Sequence, residues 1–150
     1  MKLHLGCGGN ILDGWSNHDR DVDLEKLPLP FADNSADMVF LEHCWEHFDT
    51  AQGLKLLDEF YRILKPSGRV RLCVPIVAGN RLLTKDAKRD LVLNYGHRAA
   101  YSTELLYEML DLAEFDQIVF TDRKEIDRHW TVIGKERDAA QTARIEAVKP

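Results

Sequence analysis

Cysteine is scarce and unpatterned in this chain. The three residues, Cys7, Cys44 and Cys73, are odd in number and far apart, and no Cys-x-x-Cys occurs. That argues against a disulfide framework or a zinc knuckle and fits reduced thiols in a cytoplasmic protein. Long apolar runs are also missing. Nothing approaches the roughly 18 residues a spanning helix needs, so no membrane partner is expected. The opening residues lack the charged, apolar and small-residue order of a signal peptide. There is no basic excess either: 20 Lys and Arg stand against 25 Asp and Glu, a net charge of −5. General nucleic-acid binding, which needs a basic face, is not expected. No internal repeat, low-complexity run or linker interrupts the 150 residues, which suffice for one domain with one core.

What is present centres on Lys2-Leu3-His4-Leu5-Gly6-Cys7-Gly8-Gly9-Asn10. Leu3 and Leu5 alternate with polar residues as in a short strand, and the side chains then nearly vanish. Glycine admits positive φ and lets a ligand approach the peptide groups. At the carboxyl end of a parallel strand, such a turn is the usual seat of a nucleotide-like ligand. A second short strand is expected over Trp15-Ser16-Asn17-His18, ending at Asp19. An acid at that place suits a ribose diol, because a carboxylate accepts two hydrogen bonds. Gly9 and Asp19 are too close for a full crossover helix, which needs about a dozen residues. Either the helix is lost or an extended loop replaces it.

Further along, Asp21-Val22-Asp23-Leu24 reads as a very short third strand. Leu27-Pro28-Leu29-Pro30-Phe31 is extended, and Asp33-Asn34-Ser35 is a turn. Asp37 to Leu41 is a buried strand. A helix from Thr50 to Leu64 follows from apolar residues at Leu54, Leu57, Phe60, Tyr61 and Leu64. Lys65-Pro66-Ser67-Gly68 ends it, and Arg69 to Pro75 alternates as a strand. A helix is expected over about 80–93, and a loop at Asn94 to Arg98. Ser102 caps the next helix. Strands at 115–120 and 129–133 are expected to pair antiparallel, and residues 136–150 to form a loose helix or frayed tail.

These stretches resemble class I S-adenosylmethionine-dependent methyltransferases, and among them the small, truncated members of the methyltransferase domain 11-like group. The resemblance rests on His4-Leu5-Gly6-Cys7-Gly8-Gly9, Asp19, Leu29 to Asp37, Glu42 to Phe48, and Arg62-Ile63-Leu64-Lys65-Pro66-Ser67-Gly68-Arg69-Val70. It covers residues 2 to 135, so a methyltransferase-like domain over 1–135 and a tail over 136–150 are expected. It implies an α/β, Rossmann-like three-layer sandwich with a mostly parallel sheet of about seven strands, the last pair antiparallel. The N-terminal helices are reduced. It also implies S-adenosylmethionine as cofactor and methyl transfer to an oxygen or nitrogen of a small-molecule or carbohydrate-like acceptor.

For the site, the resemblance implies that Gly6 and Gly8 admit the methionine part of the cofactor and that Asp19 takes the ribose. Asp23 and the Leu24 backbone would lie by the adenine, and Glu42 would flank the sulfonium side. His4 stands where the family usually carries an acid, and Asn10 where it has a third glycine. His47 and His97 are the acid–base candidates. His43-Cys44-Trp45-Glu46-His47 also matches the inverted zinc-protease pattern His-x-x-Glu-His. It sits at a strand-to-helix junction with no evident third ligand, so no metal role is assigned. A nicotinamide oxidoreductase fits poorly, since the Gly-x-Gly-x-x-Gly spacing is missing and the acid comes too soon. The alternative carried forward is a non-catalytic cofactor-binding or partner subunit on the same fold. Leu82, Leu83, Leu91 and Leu93 are candidates for a lid or a homo-oligomer contact, as well as for core.

Overall fold

The computed structural model of the chain describes residues 1–75, 96–121 and 142–150. Its elements run β1 (Lys2–Leu5), β2 (Ser16–His18), β3 (Ala36–Glu42), a 3-10 turn (Trp45–His47), α1 (Thr50–Ile63), β4 (Leu64–Pro75), α2 (Thr103–Leu112), β5 (Asp116–Phe120) and β6 (Thr142–Val148). The described strands form one six-stranded sheet in the order β2-β1-β3-β4-β6-β5. Pairings from β2 through β4 are parallel, and β6 runs antiparallel to both β4 and β5. The expected mostly parallel Rossmann-like sheet with an antiparallel end is therefore observed, with six strands among the described residues.

Alternation along the strands divides the sheet into two faces. Leu3, Leu5, Val39, Leu41, Val70, Leu72 and Ile145 share one core with Leu56, Leu57, Phe60 and Ile63 of α1 and with Leu106, Met109 and Leu110 of α2. Phe40 and Cys73, at intervening strand positions, form a smaller cluster with Leu12 and Trp15 of the loop between β1 and β2. His4 belongs to this second set. It is fully buried, its ring lies 4.8 Å from that of Phe40, and its Nδ1 is 3.2 Å from Asn17 Oδ1. Desolvation lowers its pKa to about 4, so it is a neutral core imidazole at pH 7.

No helix separates β1 from β2; a loop does the work of the crossover. Asn17 holds it in place of helical hydrogen bonds. Its Oδ1 accepts from Leu12 N at 2.9 Å, and its Nδ2 donates to the carbonyls of Leu12 and Trp15 at 2.9 and 3.0 Å.

α1 begins where Asp49 accepts a bond from Gln52 N at 2.8 Å. At its other end the Lys149 ammonium reaches the carbonyls of Tyr61 and Leu64 at 2.8 and 2.9 Å, a cation placed at a helix C-terminus. Ser102 caps α2 through Leu105 N, as expected.

Two expectations are corrected. Asp21 to Leu24 is not a strand. The Asp21 carboxylate accepts from Asp19 N at 2.8 Å and that of Asp23 from Glu25 N at 3.0 Å, so side chains bond the backbone that a ladder would need. Nor is the end of the chain a loose helix or frayed tail over 142–148. Thr142 to Val148 alternates tightly enough to fill the slot between β4 and β5, with Ala143, Ile145, Glu146, Ala147 and Val148 buried. Alanine and charge suggested a helix, but Arg144 and Glu146 take one face and Ala143, Ile145 and Ala147 the other. Glu146 pairs there with the fully buried Arg71. The helix expected over 80–93 and the strand over 129–133, with the leucines at 82, 83, 91 and 93, lie outside the described residues. No described helix is long and apolar enough to cross a membrane.

Candidate functional site

The glycine turn leaves β1 at the carboxyl edge of the parallel strands. Gly6 has φ +64°, and a Cβ built there would lie 2.4 Å from Cys44 Sγ and 2.9 Å from Cys44 Cβ. The position therefore demands glycine twice, for its left-handed backbone and for the thiol packed on it. Gly8 also has positive φ, and nothing stands within 4 Å of a Cβ built on Gly8 or Gly9. That side of the turn faces open space. Gly8 N donates to Asp19 Oδ1 at 3.2 Å, which ties the turn to the end of β2.

An open cleft of about 340 Å³ begins here. Gly6, Asp19, Asp23 and Leu24 line it, together with Cys44 and Phe48. Four of the six cofactor positions inferred from sequence are thus brought together. Gly8 and Glu42 are not lining residues but are tied to the turn. Gly8 holds Asp19, and Glu42 Oε2 accepts from Asn10 Nδ2 at 2.9 Å. With Glu25 added, the cleft has three carboxylates against Arg20. Its walls suit a ligand with cationic groups and a diol. Burial, with Glu46 and Asp19 nearby, pushes the Cys44 thiol up to about 12, so it is a neutral wall and not a nucleophile.

Cys44 and Phe48 flank the 3-10 turn that carries Glu46 and His47. A second segment crosses to meet it. Arg98 N and Ala99 N both donate to the Glu46 carbonyl, at 2.9 and 3.3 Å, and the Arg98 guanidinium pairs with Glu25 at the cleft. Tyr101, fully buried, donates its hydroxyl to Phe48 O at 3.1 Å. These ties set the His97 ring against His47, with centroids 5.4 Å apart and planes nearly perpendicular. His47 Nδ1 lies 3.3 Å from Gly96 O. The Glu46 carboxylate is 3% exposed, and its Oε1 stands 3.8 Å from both His97 Nε2 and His43 Nδ1. Burial, with His47 and His43 close by, lowers the His97 pKa and favours the neutral ring.

The two candidate histidines therefore meet, although 49 residues of chain separate them. Sequence reasoning did not find Cys44 as the packing partner of Gly6, nor the Arg98–Glu25 strap, since neither leaves a local pattern. Glu46 was visible within the protease-like pattern and the Glu42 to Phe48 stretch, but no role was assigned to it.

Residues 12–72 match a family model described as a methyltransferase domain. An uncharacterised protein of Methanocaldococcus jannaschii is 32% identical over 88 residues, 59% of this chain and 37% of that one. Among solved structures, phosphoethanolamine N-methyltransferase 2 of Haemonchus contortus, in complex with S-adenosylmethionine, superposes with a TM-score of 0.62 at 21% identity. That match covers 91% of this chain and 37% of the enzyme. A S-adenosylmethionine-dependent methyltransferase of Thermotoga maritima gives 0.59 at 21% identity, over 91% of this chain and 63% of that one. The chain thus spans 37% of the length of the first two of these relatives and 63% of the third. Its fold is that of the class I S-adenosylmethionine-dependent methyltransferases, as the sequence resemblance implied.

Proposed function

We propose that this chain binds S-adenosylmethionine in the cleft and transfers its methyl group to an oxygen or nitrogen of a small or carbohydrate-like acceptor, in the cytoplasm. The observation that carries the reading is the meeting of Gly6 and Gly8, both at positive φ, with Asp19 and Asp23 at the carboxyl edge of β1 and β2. The residues fit the cofactor. Open space over Gly8 and Gly9 admits a chain close to the backbone. Asp19 is the acceptor for a ribose diol, Asp23 for an adenine amino group, and Leu24 gives the ring an apolar edge. Glu42, through Asn10, holds the turn on the sulfonium side.

When bound, the cofactor supplies an activated methyl carbon for in-line displacement. The chain's own task is mainly positioning and exclusion of water. The Arg98–Glu25 strap and Tyr101 fix the segment bearing His97 beside the cleft. In this reading His47 and His97 orient the acceptor and take its proton.

Calorimetric titration with S-adenosylmethionine and S-adenosylhomocysteine, with NADH as control, tests this directly. Micromolar binding of the first two alone is expected. Asp19→Ala should weaken both by about 1–3 kcal/mol, the range for a lost charge-assisted hydrogen bond. Asp19→Asn, which can still accept from Gly8 N, should lose less. Equal affinity in parent and Asp19→Ala would remove the ribose site from this place.

A further inference from the structure

The side of the cleft that the cofactor reading gives to adenosine stands without a strand. Among the described residues, Asp23-Leu24-Glu25 has no ladder partner. Its own turn holds it in part. Lys26 N donates to Asp23 O at 3.1 Å, and Glu25 N to the Asp23 carboxylate at 3.0 Å. Two side chains from distant elements also hold it. Gln52 of α1 donates its Nε2 to Leu24 O at 3.0 Å, and the guanidinium of Arg98, 73 residues from Glu25, pairs with the Glu25 carboxylate.

Arg98 has a second attachment. Its backbone N–H donates to Glu46 O at 2.9 Å, beside Ala99 N at 3.3 Å, and its neighbour His97 lies against His47. One residue therefore touches both the loop that lines the cleft and the segment that carries His97. We propose that Arg98 is a positioning residue coupling these two sides, so that a ligand seated on Asp23 and Leu24 strengthens the docking of the His97 segment. One consequence rests on the methyltransferase reading: the cofactor binds first, and the acceptor meets a completed site only afterwards.

The two ties differ in kind, and the difference makes the coupling work. Gln52 belongs to a helix packed into the core, and Leu24 is itself buried, so that bond fixes the middle of the loop. Arg98 and Glu25 are 58% and 51% exposed. Such a pair is screened by salt and weak while both ends move, because it must freeze two long side chains. A ligand held by Asp23 and Leu24 stills the loop that bears Glu25. Part of the ordering cost is then already met, and the pair with Arg98 tightens. The docking of Arg98 and Ala99 on Glu46 O tightens with it. The coupling is reciprocal, so a docked segment raises ligand affinity by the same factor.

The test is hydrogen exchange by mass spectrometry on the full chain, with and without S-adenosylhomocysteine, joined to calorimetry of that ligand. Without ligand, Arg98→Gln should speed exchange over residues 23–26 as well as at 98 and 99. With ligand, the parent should gain protection at 98 and 99, and Arg98→Gln should not. Arg98→Gln and Glu25→Gln should each weaken binding about two- to fivefold, and the double variant no further. Arg98→Lys, which keeps the charge, should retain most of the affinity. NaCl at 0.5 M should erase the difference between parent and Arg98→Gln, which a purely structural role would leave in place. Unchanged exchange over 23–26 in ligand-free Arg98→Gln, additive losses in the double variant, or a difference that persists in salt would each overturn the coupling. If the parent does not bind S-adenosylhomocysteine, the cofactor reading falls and the order of binding falls with it, while ligand-free exchange over 23–26 still decides whether Arg98 holds the loop.

Discussion

Replacing Gly6 with alanine tests the geometry on which the cleft depends. Two contributions add. Holding an L-residue in the left-handed region, here φ +64°, costs about 1–2 kcal/mol. The new methyl would also sit 2.4 Å from Cys44 Sγ and 2.9 Å from Cys44 Cβ. The sulfur can rotate away, but the Cβ moves only with the backbone of the Cys44 segment, so the turn must open. Overpacking of this kind costs about 1–3 kcal/mol. The expected loss is therefore about 2–5 kcal/mol of unfolding free energy, read from urea melts. Cys44→Ala in the same chain removes the 2.4 Å contact and leaves the 2.9 Å contact and the backbone strain. It should restore about 1 kcal/mol, and the double-mutant cycle should show that coupling. A Gly6→Ala chain within about 0.5 kcal/mol of the parent would refute the close approach of turn and thiol.

Two further outcomes follow from the structure. His4, fully buried with its pKa lowered to about 4, binds its proton more weakly folded than unfolded, so stability falls as pH drops from about 6.5 towards 4 and levels below that. The loss amounts to roughly 3 kcal/mol, and urea melts of His4→Leu at pH 4.5 and 7 should lack it. Arg62 joins Glu59 and Asp33 and donates to the carbonyls of Leu29 and Phe31. Arg62→Ala should cost about 1–3 kcal/mol, and Arg62→Lys should not recover it because a single ammonium cannot span that fan of acceptors.

The sheet from β1 to β4 was legible because its strands alternate or run apolar between clear turn residues. The spacing of Gly9 and Asp19 also announced the missing helix. Gly6, Asp19, Asp23 and Leu24 of the cleft lining were legible too, since glycine, acid and strand end fall in order along the chain, whereas Cys44 and Phe48 reach it only through the fold. The edge turn at Asp21 to Leu24 was not. Its strand-like alternation competes with Asx bonds whose outcome depends on side-chain rotamers. β6 was misread because its neighbours lie 67 and 22 residues upstream, and nothing in Thr142 to Val148 itself announces a slot between Pro75 and Asp116. The meeting of His47 with His97 is likewise tertiary. Neither histidine announces the other locally, and ties distant in sequence, among them the bonds to the Glu46 carbonyl, the Arg98–Glu25 pair and the Tyr101–Phe48 bond, bring them together.

The insertion of β6 between β4 and β5 has a consequence for how the chain is made. On the ribosome, β1 to β4 can assemble from consecutive sequence, but β4 then waits with an unpaired edge until Thr142 to Val148 emerges. At about 5–20 residues per second the wait is roughly 3–13 s. For that interval the nascent sheet offers Arg69 to Pro75, with its apolar Val70, Leu72 and Val74, as an open template. Chaperone dependence during synthesis, and aggregation when translation stalls before residue 142, should therefore exceed what the finished fold would suggest.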